Sequence, residues 1–319
     1  MIYKILLIGA GNIGSRYLQG IKKCKLNLDI TVIDNSEVSL DKAKFVWNET
    51  KFNESLHKII WFKKIPESSK YFNLAIIATP SKGRATLIHS IKKMVTVDYW
   101  IIEKVLEQSN YNLNLLYNEL YKSKRVWVNT PRRQMDWYKK LKNKFYDLTP
   151  LKVEMRGGLW GLACNSIHFI DLISWWTGEN VISIDSKKLD PKWIKSKRNG
   201  YFEVTGDLIV NYSSGTELLL RSSSTEENYE IKVELPNNNF WLIDETKGIA
   251  IDSKKDILEG KLELQSEMTG PLITNILTEG NCELAPLKQS ITQHEFLLDV
   301  MLYHWNNSNN FKDKLVPIT

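Results

Sequence analysis

Short, mainly apolar runs alternate with helical periodicity over the first 130 residues or so. The runs are residues 2–8, 28–33, 74–78, 97–102 and 126–128, and the stretches with apolar positions at helical spacing are 12–21, 38–47, 84–93 and 111–121. Continuous rather than alternating apolarity marks strands covered on both faces, so this half predicts a parallel sheet with helices packed on it. After about Asn129 the texture changes. Residues 181–251 contain strands of period two, such as Asp207-Leu208-Ile209-Val210-Asn211-Tyr212, then Ser213-Ser214-Gly215 as a turn and 216–221 as the return strand. Alternation of this kind predicts antiparallel hairpins with one wet face. Helical patterns over 164–176, 271–278 and 290–305 complete the chain, and no repeat or low-complexity linker interrupts it. The fold class is therefore α/β, with one domain over 1–128 and a second over 129–319 whose open sheet is mostly antiparallel.

The first run breaks straight into Gly9-Ala10-Gly11-Asn12-Ile13-Gly14, a G-x-G-x-x-G turn followed by a helix. The three glycines serve different ends. Gly9 makes the tight turn, Gly11 lets main chain approach a pyrophosphate, and Gly14 lets the helix pack close on the strand. The amides of Gly11, Asn12, Ile13 and Gly14 would point at the phosphates, where the helix dipole also favours anions. Asp34 ends the second run, 20 positions after Gly14, where a carboxylate accepts from ribose hydroxyls. Together these predict a Rossmann dinucleotide-binding domain. The carboxylate repels a 2′-phosphate, and Asn35 and Ser36 follow it where an arginine would favour NADP, so NAD is the expected cofactor and NADP the lesser one.

Composition narrows the class. A chain of 319 residues has room for two ordinary domains, and 43% hydrophobic with 25% charged residues is a globular balance. The net charge of +6 is spread along the sequence, a mild bias toward anionic ligands without the clustering of a nucleic-acid binder. Cys24, Cys164 and Cys282 are widely separated, which suggests a reducing, cytoplasmic setting and no metal. No apolar stretch is long enough to span a membrane, and the opening run is too short for a signal peptide.

Several clusters could carry chemistry. Thr79 and Pro80 follow the 74–78 run, at the sheet edge where such folds bind ligands, and Glu103-Lys104 ends the next run in the same way. Lys104 could donate to a substrate oxygen or carry its proton, or be a solvated strand-end lysine. Within residues 157–176 a helix would set Cys164, His168, Asp171 and Trp175 on one face. His168, with a carboxylate possible beside it, is a candidate general base or acid; a satisfied structural histidine is the plainer reading. Arg132 and Arg133 could hold a substrate carboxylate or phosphate, or bridge domains. The basic stretch Lys187, Lys188, Lys192, Lys195, Lys197 and Arg198 reads as a solvated loop, with nucleotide-sugar phosphates as the sharper alternative. Trp160, Trp175 and Trp176 suit a sugar platform or a core.

In order and spacing these pieces resemble the Gfo/Idh/MocA oxidoreductases over the whole chain. The likeness runs from the glycine turn through Ala78-Thr79-Pro80, Glu103-Lys104, Asn129-Thr130-Pro131-Arg132-Arg133 and His168-x-x-Asp171 to Leu172 and Gly178. It implies that Lys104 and His168 flank a sugar or polyol carbon facing the nicotinamide, with His168 moving the hydroxyl proton. It further implies that Thr79, Pro80 and Glu103 lie on the cofactor side, that Trp160, Cys164 and Asn165 lie on the substrate side, and that Asp171 orients or caps. Two positions depart from the family: Cys164 stands where the carboxylate partner of the histidine is expected, and Val105 replaces the proline after Glu-Lys. A thiol stabilises an imidazolium less well than a carboxylate does. Lys104 as the main proton carrier, a carboxylate recruited from elsewhere, and loss of catalysis are the competing consequences; a nucleophilic Cys164–His168 pair lacks an oxyanion hole.

The expected function is an NAD(P)-dependent oxidoreductase acting on a hydroxyl or keto group of a sugar, sugar derivative or nucleotide sugar, with surface polysaccharide biosynthesis as its setting. The alternative is a catalytically silent NAD-binding sensor or partner protein. Its expected partners are a small sugar-type substrate and further copies of itself as a homodimer or homotetramer, with neither nucleic acid nor membrane.

Overall fold

The computed structural model describes residues 1–52, 57–225 and 228–319. In chain order the first elements are β1 (Ile2–Ile8), α1 (Asn12–Lys22), β2 (Asn27–Ile33), α2 (Glu37–Glu49), β3 (His57–Phe62), β4 (Tyr71–Ile77), α3 (Arg84–Met94), β5 (Thr96–Glu103), α4 (Asn110–Leu120) and β6 (Arg125–Asn129). A 3-10 turn at Pro131–Gln134 leads to α5 (Asp136–Phe145), β7 (Lys152–Gly157), α6 (Leu162–Thr177), β8 (Val181–Leu189), β9 (Ile194–Lys195) and β10 (Phe202–Glu203). Then come β11 (Gly206–Tyr212), β12 (Glu217–Ser222), β13 (Glu230–Glu234), β14 (Phe240–Asp244), β15 (Ile249–Asp252) and β16 (Ile257–Glu259). The chain closes with α7 (Gln265–Glu279), β17 (Ala285–Pro286) and α8 (Leu287–Asn309).

Two compact units are present, each discontinuous in sequence. The first comprises Met1–Leu106, Asn114–Pro131 and Glu263–Lys288; the second comprises Glu107–Leu113, Arg132–Leu262 and Gln289–Thr319.

The sheet of the first unit has the order β17-β6-β5-β4-β1-β2-β3, parallel throughout except for β17. Reading β3-β2-β1-β4-β5-β6 gives the strand order of a doubly wound dinucleotide fold, with its switch point between β1 and β4. All five expected runs form strands. β3 is not among them although Ile59-Ile60-Trp61-Phe62 is apolar; at the edge of the sheet its residues alternate between half-buried and exposed. Helix α7 packs on α1 so closely that a Cβ on Gly20 would sit 2.5 Å from the Cβ of Thr269. It starts at Gln265, six residues before the Pro271 that marks a helix start in the sequence, and Glu267 accepts from the Leu264 N–H at its entry. Ile5, Leu7, Leu18, Ile30, Ile76, Ile273 and Ile276 belong to the core between these layers.

The second unit holds an eight-stranded sheet of order β16-β15-β14-β13-β7-β12-β11-β8, antiparallel except for β7 against β12. The expected hairpin forms as β11 and β12 around 213–215. Helix α6 buries Leu162, Ile167, Ile170, Ile173 and Trp176, and Gly161 and Gly178 bound it in left-handed conformation. Helix α5, unforeseen in the sequence, buries Trp137, Tyr138, Leu141 and Phe145. Lys187, Lys188, Lys192, Lys195, Lys197 and Arg198 are all exposed, but the stretch is not the single loop expected: Lys187 and Lys188 lie on β8 and Lys195 on β9, and Trp193 among them is buried against Trp305. Among the described residues no helix is long and apolar enough to cross a membrane.

Candidate functional site

The glycine turn sits at the switch point of the first unit. Gly9 has φ +97°, and a Cβ there would lie 2.7 Å from the carbonyl carbon and oxygen of Ala78, so the turn leans directly on the end of β4. A Cβ on Gly14 would be 1.9 Å from the Gly9 carbonyl oxygen, which is the close helix-on-strand contact that the spacing implies. Gly11 differs: its missing Cβ faces open space, with no atom within 4 Å. It is also the N-cap of α1, and no side chain caps that helix. The first amides of α1, at Asn12, Ile13 and Gly14, are thus a helix N-terminus with a glycine-sized opening before it, the arrangement that receives an anion.

Asp34 closes this turn from the end of β2. Its Oδ2 accepts from the Ala10 N–H at 2.7 Å and its Oδ1 from the Ser36 N–H at 2.8 Å. Each oxygen keeps acceptor capacity, and the carboxylate stays half-exposed. Thr79, just past β4, has a buried Oγ1 that meets no hydrogen-bond partner among the described residues, and Pro80 beside it is exposed. An open glycine, an uncapped helix and an orphaned buried hydroxyl all suit a dinucleotide.

Glu103 points into the interior. Its Oε1 accepts from the Tyr17 hydroxyl at 2.7 Å and from Asn129 Nδ2 at 2.6 Å. Burial pushes its pKa up despite these donors and the cations Lys104 and Arg84, and burial together with Glu103 pushes the Tyr17 phenol up as well. Arg84, 1% exposed, grips the main chain around it: Nη1 donates to the carbonyls of Glu103, Val105 and Leu106 at 2.6, 2.6 and 2.9 Å, and Nη2 to that of Thr79 at 2.6 Å. The half-buried Lys104, followed by a cis peptide to Val105, lies within the segment so held. Nothing in the sequence pattern singles out Arg84, which reads there as the first residue of a helix.

In the second unit a cavity of about 430 Å³ gathers Arg132, Trp160, Asn165 and His168 from the sequence candidates. Phe169, Tyr229, Glu245, Thr246 and Leu262 complete its lining. Arg132 forms a two-pronged ion pair with Glu245, Nε to Oε1 at 2.8 Å and Nη2 to Oε2 at 2.9 Å, and lies over the Phe169 ring at 4.4 Å. The Tyr138 hydroxyl also donates to Glu245. Burial opposes both charges, yet the pairing prevails: the Glu245 carboxyl is held below its usual range and the Arg132 guanidinium above its own. Trp160 donates its Nε1–H to the Arg221 carbonyl at 2.9 Å, and Asn165 Nδ2 donates to the Trp160 carbonyl at 2.8 Å, which steadies both walls.

The remaining candidates are placed elsewhere. Arg133 is buried and pairs with both oxygens of Asp171, Nε to Oδ2 at 2.8 Å. That bond occupies the carboxylate on the His168 face of α6, so Asp171 serves as an internal anchor and Arg133 does not line the cavity. Cys164 donates its thiol to the Gly161 carbonyl at 3.5 Å, and Trp175 lies under Lys142 Nζ at 4.5 Å; neither lines the cavity. Glu203 of β10, also unforeseen, accepts from the Ala163 N–H at 2.8 Å and so supplies the start of α6 with a carboxylate. Glu245 and Tyr229 have no local signal, being 113 and 97 positions from Arg132.

No family model matches the sequence, and no curated protein matches it. Solved structures do. UDP-N-acetylglucosamine 3-dehydrogenase from Acidithiobacillus ferrooxidans is similar at TM-score 0.69 and 11% identity, over 95% of this chain and 97% of that one. Myo-inositol 2-dehydrogenase from Lactobacillus plantarum is similar at 0.66 and 17%, over 100% of both chains. An oxidoreductase from Agrobacterium radiobacter, in complex with NAD+, L-tartaric acid and magnesium, is similar at 0.68 and 13%, over 92% of this chain and 94% of that one. The chain shares the fold of these solved structures, a mostly parallel sheet covered by helices with a second, mostly antiparallel sheet.

Proposed function

We propose that this chain is an NAD-dependent oxidoreductase that moves hydride between nicotinamide and a hydroxyl or keto carbon of a sugar or sugar derivative. The observation that carries the reading is the open Gly11 at the uncapped start of α1, with the Asp34 carboxylate bonded to the Ala10 N–H beside it. Nicotinamide supplies what no side chain can, a site that accepts or releases hydride.

The chain's own residues do the rest. The amides of Gly11, Asn12, Ile13 and Gly14 would hold the pyrophosphate. Asp34 would accept from the ribose diol and repel a 2′-phosphate, which favours NAD over NADP. Thr79 and Pro80 border the coenzyme side, and Glu103 acts from behind, steadying the strand end that carries Lys104. His168 opens into the cavity, and imidazole is the side chain best suited to take up or return a hydroxyl proton near neutrality. Lys104 is the candidate proton carrier of the first unit and His168 that of the second. The same reading extends to a cytoplasmic homo-oligomer, with synthesis of a surface polysaccharide as its setting.

Purified protein with NAD and a panel of sugars, nucleotide sugars and polyols tests this. Growth of the reduced-nicotinamide absorbance with one class supports an enzyme. Coenzyme binding without turnover across the panel supports instead a silent sensor, the outcome that Cys164 in place of a carboxylate would bring about.

A further inference from the structure

Arg132 is the only permanent cation among the described residues that line the cavity, and its charge is already matched. Two of its donors are engaged by the two oxygens of Glu245, and the Phe169 ring covers its face. Side-chain exposure is 13% for Arg132 and 5% for Glu245, so the pair is largely out of water. Arg133, the neighbouring guanidinium, is tied to Asp171 in the same two-pronged way. An anionic substrate group entering here would reach only the donors that Glu245 leaves, and it would set a second negative charge beside that buried carboxylate with one cation between the two, which is strongly unfavourable. Hydroxyl groups carry no such cost, since they can add to a network that already mixes donors and acceptors. Trp160, Phe169 and Tyr229 form the aromatic part of the wall, with Trp160 and Phe169 edge to face at 5.6 Å, and such rings suit the C–H faces of a saturated ring.

We infer that this cavity takes an uncharged, hydroxyl-bearing ring and rejects the corresponding sugar acid. The inference builds on the oxidoreductase reading only in treating the cavity as the place of the reacting ring. It also sets aside a carboxylate-binding role for Arg132 and Arg133.

The test is binding of matched pairs, D-glucose against D-glucuronate and D-galactose against D-galacturonate, with myo-inositol as a further neutral probe. Saturation-transfer NMR on the full chain, with and without NAD, reads the affinities. At least one neutral sugar is expected to bind about tenfold or more tighter than its acid. Glu245→Gln, which releases Arg132, is expected to narrow or reverse that ratio by about tenfold. Should Glu245→Gln fail to fold, Thr246→Lys places an unmatched cation from an exposed lining position and is expected to raise the acid's affinity about fivefold or more. Acids binding as tightly as their neutral partners in the unaltered protein, or no neutral probe binding at all, would overturn the inference. Loss of the coenzyme reading is told apart, because it shows as absent NAD affinity with the sugar preference intact.

Discussion

The carboxylate of Asp34 accepts a hydrogen bond from the main-chain N–H of Ala10 at 2.7 Å, tying the end of β2 to the glycine turn that follows β1. The same group braces the turn and, in the function proposed above, accepts from the ribose, so Asp34→Ala should weaken NAD about tenfold, near 1.4 kcal/mol, and reduce the preference over NADP. Calorimetric titration of both coenzymes measures this.

Gly11 and Gly14 should respond oppositely to the same added methyl. Gly11→Ala meets no atom within 4 Å, so its melting temperature should stay within about 2 °C of the unaltered protein while NAD binding falls about tenfold or more. Gly14→Ala drives a Cβ to 1.9 Å from the Gly9 carbonyl oxygen and should destabilise the fold by about 2 kcal/mol or more. Thermal melts beside the titrations separate the two.

Much of this arrangement is legible in the chain, and the rest is not for definite reasons. The later residues of β1, β2, β4, β5 and β6 are buried on both faces and almost wholly apolar, whereas β3, at the sheet edge, alternates in burial although Ile59-Ile60-Trp61-Phe62 is itself a short apolar run. Gly9, Gly14 and Asp34 carry local constraints, so their spacing announces them. The partner of Arg132 is Glu245, 113 positions away at the end of a strand, and only the folded sheet brings it close. The same holds for the return of residues 263–288 to the first unit, where small residues at Gly20 and Gly270 allow α7 to lie against α1. Asp171 reads in the sequence as an orienting or capping group, and its pairing with Arg133 becomes visible only with the backbone in place.

Arg84 supplies charged donors to four carbonyls, those of Thr79, Glu103, Val105 and Leu106. Arg84→Met keeps most of the bulk and leaves those acceptors buried, so a loss of about 3 to 5 kcal/mol is expected in urea unfolding. A loss below about 1 kcal/mol would show that water replaces the guanidinium readily.

Glu103 has its pKa raised by burial, so its folded value lies above its unfolded one. The sign follows: its contribution to stability is fully present below the unfolded value and is lost as pH rises through the folded one. Glu103→Gln can still accept from Tyr17 and Asn129 but does not ionise. Its melting temperature relative to the unaltered protein should therefore rise between pH 4 and pH 8, by about 4 °C per kcal/mol regained. A difference that stays flat with pH, or falls, contradicts the assignment.

His168→Asn and Lys104→Ala remove the two candidate proton carriers. Each should lower turnover about 10²- to 10⁴-fold with NAD affinity changed less than about twofold. If His168→Asn keeps full turnover while Lys104→Ala abolishes it, Lys104 is the principal carrier.

The most direct measurement is a calorimetric titration of the well-folded, full-length protein with NAD, NADH, NADP and NADPH in turn. Saturable binding of NAD or NADH, tighter than that of the phosphorylated pair and weakened by Gly11→Ala, is expected. No detectable affinity for any of the four would contradict a coenzyme at the Gly9 to Gly14 turn, and with it the hydride-transfer function.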